Sequence, residues 1–239
     1  MADEIVDKKT EIDKMKSFYD DVYYANIDKP LQGSAHLRKM ADKIGVGPGR
    51  LVLDIACGLG EWLHVCDARG AKVHGIDLSE RAIQYCRKNM PDGEFYAQPA
   101  EQLPFADDSF DYVTCFGSLE HFVEPVLALR EMARVAKRDA RFVILVPNAD
   151  FLTRKLKLYY GTNQKNAKEV VRTLKAWEQL FNQAGLQVKH KWKDLHVLSW
   201  SWIGMNGWAQ APIRAMQAVA LAFWPLKWQY QVYHLCVIK

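Results

Sequence analysis

The sequence lacks most of the features that would take it out of the cytoplasm. No stretch reaches about 18 uncharged apolar residues, the length a membrane-spanning helix needs. The opening MADEIVDKKTEIDK is polar and charged, unlike a secretory signal. Cysteines are few, and Cys57, Cys66, Cys86, Cys115 and Cys236 are scattered, odd in number and never paired as C-x-x-C. Such usage fits a disulfide framework poorly, so a reduced, cytoplasmic setting is the expectation. No Cys/His cluster has the spacing of metal ligands, and no metal is expected. Neither sign of charge dominates; the net charge of +4 is too small to argue nucleic acid by itself. Repeats and low-complexity tracts are absent. With 49% hydrophobic and 25% charged residues, wholesale disorder and a coiled coil are excluded. At 239 residues, what remains is one globular domain with room for an appended lid.

Hydrophobic periodicity places the elements. Residues 1–9 read as frayed. From Thr10 to about Ala25, Ile12, Met15, Phe18, Tyr19, Val22 and Tyr23 recur at helical spacing. A second helix is predicted over Ser34–Ile44, capped by Ser34 and ended by Gly45. Short apolar runs then alternate with amphipathic stretches. Strands are predicted at Leu51–Ile55, Lys72–Ile76, Glu94–Ala97, Asp111–Phe116 and Arg141–Val146, and helices at about 60–69, 79–89 and 124–136. This alternation predicts a parallel sheet with right-handed crossovers, whose ligands bind beyond the carboxyl ends of the strands. After Pro147 the chain turns basic. A helix is predicted at about Asn166–Gln183 and strands at Leu186–Trp192 and Gln229–Ile238. Between these two strands lies the tryptophan-rich segment Leu195–Trp228.

The sharpest signal is RLVLDIACGLGEW, residues 50–62: an apolar strand, Asp54, small residues, then a helix start with free N–H groups. Seventeen residues after Gly60, the next strand ends in Asp77, a carboxylate placed to accept both hydroxyls of a ribose. A structural turn with a helix-capping Asp77 is the bland alternative, and the combination favours a nucleoside. A nicotinamide fingerprint would put its third glycine where Leu63 stands. Asp54 fits a cationic amino-acid moiety better than a pyrophosphate. Both points lead toward S-adenosylmethionine.

With VLDIACGLGEW, HGIDLSERAI, AEQLPFADDSFDYVTCFGSLEHF, EMARVAK and FVILVPN in view, the chain resembles the class I S-adenosylmethionine-dependent methyltransferases over about residues 35–150. The resemblance implies an α/β, Rossmann-like, seven-stranded and mostly parallel sheet flanked by helices. Strand 7 would be antiparallel beside strand 5, with an N-terminal helix and a C-terminal lid insertion. It divides the chain into an N-terminal cap helix (1–33), a cofactor-binding core (34–150) and a basic, Trp-rich acceptor and lid region with the last two strands (151–239). It implies S-adenosyl-L-methionine as cofactor and S-adenosyl-L-homocysteine as product. Asp54 would lie near the methionine moiety, with Ala56, Cys57, Gly58 and Gly60 against the cofactor. Asp77 would take the ribose, Leu78 the adenine, and the Phe116 carbonyl the ammonium. Relatives carry an Asp where Pro99 stands. The Ala100 N–H can still meet adenine, and Gln98 or Glu101 must supply any other polar contact. Lys137-Arg138-Asp139-Ala140 stands where relatives read K-P-G-G, so a turn is expected there. His121 of Leu119-Glu120-His121 is the catalytic candidate, as a general base or as a pocket wall. Metal-dependent quinone O-methyltransferases of this family carry a further Glu where Gly117 stands, so no metal is implied. Tyr19 or Tyr24 is expected to reach the cofactor pocket, with Tyr23 packing.

The acceptor is not named by any motif. A small molecule, apolar or lipid-like ahead of a sugar or polar metabolite, is the expected substrate. An RNA or protein methyltransferase and a non-catalytic cofactor-binding protein are the alternatives. Strand 4 is followed by no N/D-P-P-[YF] motif, and no RNA-binding module is appended, which argues against nucleic acid. Arg154, Lys155, Lys157, Lys165, Lys168, Arg172 and Lys175 form either a solvated face or an anion-facing one. In Leu195–Trp228, the helix starting near Pro212 is apolar almost all round. It is expected to cap the acceptor site with aromatic walls; a homodimer contact and a membrane-surface contact through 200–228 are the alternatives.

Overall fold

Alternate residues of the central strands face opposite sides of one sheet, and both sides are buried. Strand β1 (Leu51–Ile55) sends Leu53 and Ile55 to one layer and Val52 to the other. Strand β4 (Phe110–Phe116) separates Val113 and Cys115 from Tyr112, and β5 (Ala136–Pro147) separates Phe142, Ile144 and Val146 from Val143 and Leu145. With β2 (Lys72–Asp77), β3 (Glu94–Ala97), β6 (Leu186–Lys193) and β7 (Gln231–Ile238), they form a seven-stranded sheet in the order β3-β2-β1-β4-β5-β7-β6. All pairs are parallel except β5–β7 and β7–β6. The structure, a computed structural model, describes residues 2–27, 30–155, 169–204 and 207–239.

Helices cover both faces. On one lie α2 (Ala35–Ile44), α3 (Glu61–Asp67) and α4 (Glu80–Asn89), burying Met40, Ile44, Leu63, Val65 and Ile83. On the other lie α5 (Pro125–Val135) and α7 (Leu174–Gln183), burying Leu129, Met132, Trp177 and Phe181. Each such side chain contributes roughly 1.5–3 kcal/mol when fully buried. Helix starts follow their caps: the side chains of Ser34, Ser79 and Thr173 accept from the N–H three residues on.

The strand order reverses between β1 and β4, so the loops after β1, β2 and β4 converge on one crevice. The two antiparallel pairings add to it. Since β6 and β5 each run against β7, they run in the same direction. The end of β6 and the start of β7 therefore fall on the ligand edge.

Three expectations are corrected. Helix α1 (Ala2–Phe18) already covers most of the segment read as frayed, and it passes into a wider π-helical turn at Tyr19–Tyr23 instead of running on to Ala25. Lys137–Ala140 forms no turn before strand 5. Without the Pro-Gly pair of relatives it extends as part of β5, with a register shift against β4. The helix predicted from Asn166 begins at Leu174. Residues 169–173 are held otherwise: Val170 N–H donates to the Glu120 carbonyl, and Arg172 bridges Asn148. Lys157, Lys165, Lys168 and the predicted helix start lie outside the described residues. The helix expected from near Pro212 in Leu195–Trp228 is present as α9 (Ala211–Phe223), preceded by α8 (Trp200–Ile203), and a four-residue helix α6 (Leu152–Lys155) lies earlier in the chain. The Trp200, Trp202, Trp224 and Trp228 side chains are absent from the cavity walls described below. Trp200 is 78% exposed, and Trp202 packs beneath Arg214, 3.9 Å from its ring centre.

Candidate functional site

The loop after β1 is wound by three left-handed residues at alternate positions, Ala56, Gly58 and Gly60, with φ of 56°, 53° and 75°. Only glycine reaches such angles cheaply, so Ala56 carries local strain beside the site. Gly58 also has no room for a side chain, because a Cβ there would lie 2.8 Å from the Tyr24 hydroxyl. Gly60 is excluded from the cavities. It packs inward, where a Cβ would meet Met90 and the Cys86 sulfur, so it shapes the loop instead of touching a ligand.

Asp77 closes this loop from the neighbouring strand. Its Oδ2 accepts from Gly58 N–H and its Oδ1 from Ser79 N–H, both at 2.9 Å. A carboxylate has about four acceptor positions, so each oxygen retains capacity for a hydroxyl donor. Burial pushes the Asp77 pKa up, and the two N–H donors oppose that shift. Asp54, one residue before the end of β1, is buried at the cavity wall and takes a 2.6 Å bond from the Thr114 hydroxyl. Burial, with a smaller contribution from Asp77, pushes its pKa up to about 7.

The π-helical turn brings Tyr19 and Tyr24 beside Asp77. Burial and the charge of Asp77 push Tyr19 up to about 12 and Tyr24 well above its ordinary value, so both phenols stay neutral donors. Asp20 fastens the turn. It accepts from the Ser79 hydroxyl at 2.6 Å and from Arg81 N–H at 3.3 Å, sitting at the amino end of α4 where an acid is favoured.

Two cavities meet under these tyrosines, sharing Tyr19, Tyr24, Ala56, Ser118 and His121 as walls. The first holds about 620 Å³ of empty space and is lined further by Ile12, Met15, Asp77, Leu78, Gln98, Pro99, Ala100 and Glu101. The second holds about 1320 Å³ and is lined further by Tyr23, Asp54, Cys57, Gly58, Trp62 and Phe116 and, on its far side, by His36, Asp194, His196 and Tyr233. Every cofactor candidate from the sequence except Gly60 therefore lines a cavity, and His121 stands at the junction. Glu120 does not line either one. Its carboxyl is buried, with one oxygen unpartnered among the described residues, and burial pushes its pKa up to about 7. The sequence reading missed Asp20, Trp62 and the far wall of the second cavity. The Glu61-Trp62 helix start was in view, but the others belong to segments with no local motif.

A nucleoside joined to a charged amino acid fits this pair of cavities. Asp77 and neutral phenols face the first, with Leu78 and Ala100 as apolar walls for a base. Asp54 offers a buried acid to a cation in the second, and the Trp62 indole N–H, also in its wall, has no partner among the described residues and suits a carboxylate. The Phe116 carbonyl accepts from the Ser118 hydroxyl at 3.3 Å and retains a second lone pair. Among the described residues no cluster of His, Cys, Asp or Glu has the arrangement of a metal site, and no helix is long and apolar enough to cross a membrane.

Comparison with known proteins agrees with this geometry. Residues 53–144 match the family described as methyltransferase domain. A demethylmenaquinone methyltransferase from Renibacterium salmoninarum is 29% identical, covering 86% of this chain and 92% of that protein. One from Clavibacter sepedonicus is 31% identical over 80% of this chain and 79% of its own length. The fold matches the crystal structure of an S-adenosylmethionine-dependent methyltransferase from Aquifex aeolicus with a TM-score of 0.59, at 17% identity, over 96% of this chain and 98% of the other.

Proposed function

We propose, from the premise that this chain belongs to the class I S-adenosylmethionine-dependent methyltransferases, that its acceptor is an apolar, hydroxylated aromatic of the quinol type. The enzyme's methyl donor is S-adenosylmethionine, which supplies a methyl group already activated by its sulfonium. The observation that carries the acceptor reading is the wall of the second cavity. Phe116, Leu145 and Tyr233 give it apolar surface beside polar groups, and His36 and His196 stand among them as groups able to handle a hydroxyl proton. The names of the two curated relatives support the same class of acceptor.

In this reading the residues divide their work along the crevice. Asp77 holds the ribose, Leu78, Ala100 and Glu101 hold the base, and Asp54, the Phe116 carbonyl and Trp62 hold the amino-acid end. Residues 1–33 act as the cap, 34–150 as the donor half and 151–239 as the acceptor half. Tyr19 and Tyr24 separate ribose from acceptor and exclude water. The protein's task is to hold the acceptor atom about 3 Å from the methyl carbon and in line with the sulfur, a positioning effect worth several kcal/mol. The exposed Met216 and Phe223 of α9 and Trp200 of α8 suit contact with a bilayer surface carrying such an acceptor.

The test is turnover of purified protein with S-adenosylmethionine and short-chain demethylmenaquinol, read as S-adenosylhomocysteine formed. Methylation of the quinol supports the reading. Turnover with RNA or protein, and none with any hydroquinone, would replace it.

A further inference from the structure

The far wall of the second cavity contains a hydrogen-bonded array with no place in the donor half. Asp194 follows β6 and is buried. Its Oδ2 lies 2.6 Å from Nδ1 of His196, and its Oδ1 accepts from the His196 backbone N–H at 3.1 Å. The same Oδ1 lies 3.2 Å from Nε2 of His36, at the start of α2, and that nitrogen is 3.1 Å from the Tyr233 hydroxyl of β7. Two segments thus pin one carboxylate, the His196 turn and the start of α2, with Tyr233 bracing His36 from β7, and the carboxylate in turn fixes the His196 imidazole. All four residues line the cavity.

We propose that His196 is the general base for the acceptor hydroxyl, with Asp194 as its positioning residue; the proposal rests on the quinol-type reading of the acceptor. The geometry dictates the tautomer. With Nδ1–H donated to Asp194, Nε2 carries the lone pair, as in a carboxylate–histidine pair that activates a nucleophile. The His196 side chain is 46% exposed, so Nε2 can meet an entering ligand, whereas Asp194 at 5% stays out of reach. His196 Nε2 takes the proton of the ring hydroxyl. The released electron pair, on oxygen or delocalised to the adjacent ring carbon, forms the bond to the methyl carbon, while the carbon–sulfur bond breaks with its pair on sulfur. Where carbon is the nucleophile, its hydrogen then leaves as a proton and the ring oxygen regains one. In both cases one proton passes from His196 to water.

Electrostatics support this assignment. The bond to Asp194 holds the His196 pKa above its ordinary value against the opposing effect of burial. His36, by contrast, is held below its ordinary value, chiefly by burial. The other groups facing His196 are His36, with Lys39 behind it on α2, and Tyr233 on β7. Helix α9 packs against the His196 turn and brings Arg214, whose Nε donates to the Trp202 carbonyl. Asp54 and Glu61 line the same cavity.

The experiment compares the parent protein with His196→Asn, Asp194→Asn and His121→Phe. It measures turnover of short-chain demethylmenaquinol against pH, S-adenosylmethionine affinity by titration calorimetry, and histidine titration by NMR in the cofactor-free protein. The expected result is about a hundredfold loss of turnover in His196→Asn with donor affinity unchanged within twofold. Asp194→Asn should lower turnover and move the acid limb of the profile, together with the His196 NMR titration, to lower pH. A His196→Asn protein with the parent's rate and pH profile overturns the proposal. So does a His196 NMR titration that Asp194→Asn leaves in place. Should the parent fail to turn over the quinol, the acceptor reading fails alone, and the NMR titration still decides the Asp194–His196 pair. Circular dichroism identifies any variant that fails to fold, and the His196 substitution, on an exposed turn, keeps the test available.

Discussion

The Tyr24 hydroxyl rests directly above Gly58, at 2.8 Å from the position a Cβ would occupy there. A left-handed glycine and a half-buried phenol thus define one another, and in the proposed reading this ties the N-terminal segment to the donor site. Gly58→Ala should weaken S-adenosylmethionine binding at least tenfold, through the displaced ring and the roughly 1–2 kcal/mol cost of a left-handed alanine. The double variant Gly58→Ala/Tyr24→Ala should recover the steric part only. Calorimetry of both proteins checks this; equal affinities would mean that Tyr24 is not the obstacle.

Asp77→Ala should also weaken the donor at least tenfold, since charge-assisted bonds to ribose hydroxyls contribute roughly 1.5–3 kcal/mol each. The structure adds a second effect. The Gly58 and Ser79 N–H groups lose their acceptor, so the cofactor-free protein should lose stability by about 1–3 kcal/mol. Unchanged affinity in the variant would place the ribose elsewhere, and an unchanged melting temperature would contradict the bracing role.

Asp54 gives the donor affinity a pH dependence. Its pKa rises from 3.8 to about 7 on burial, so below pH 7 the carboxyl is neutral and attracts no cation. Affinity should climb between pH 6 and 8, and Asp54→Asn should flatten that climb. The linkage sign follows: the folded state holds this proton more tightly than the unfolded chain, so stability falls as pH rises from about 4 through 7. Thermal melts of parent and Asp54→Asn across that range should diverge, with the parent losing more.

Asp20 fastens the cap to α4 through Ser79 and Arg81. Asp20→Ala should cost about 1 kcal/mol, the usual scale for losing an acid at a helix start. It should also speed trypsin cleavage at Lys14 and Lys16. Cleavage at the parent's rate would show that the aromatic contacts hold the cap without this bond.

His121 lines both cavities. With the proton handled at His196, His121→Phe should keep the parent's pH profile and change mainly the acceptor KM. Loss of the acid limb in this variant alone would move the base to His121.

The region from Ser34 to Asp77 was legible because its elements are local. Ser34, Ser79 and Gly45 mark helix ends within a few residues, and Asp54, Gly58 and Asp77 sit at strand ends that periodicity alone locates. The far wall of the second cavity was not legible, for a topological reason. His36 and Tyr233 are 197 residues apart, and only the pairing of β7 against β5 and β6 joins them. The facing of α9 was not legible for a related reason: residue spacing indicates an apolar helix but not which way it faces, and Phe223 is 83% exposed. Asp139 shows a smaller failure. A turn was expected from the position of the residue in its family's pattern, but the residues actually present extend as strand.

The reversed strand β7 has one more consequence. Because β6 and β7 are added outside β5, the wall they carry is an annex to the first five strands, which complete the donor loops by themselves. In the proposed reading, a lineage that rewrites residues 186–239 alters one part of the acceptor wall and leaves the loops after β1, β2 and β4 in place. A chimaera exchanging this stretch with a relative of different acceptor is expected to shift acceptor preference only in part, since His36, Phe116 and Leu145 of the same wall stay behind, and to keep its affinity for the methyl donor.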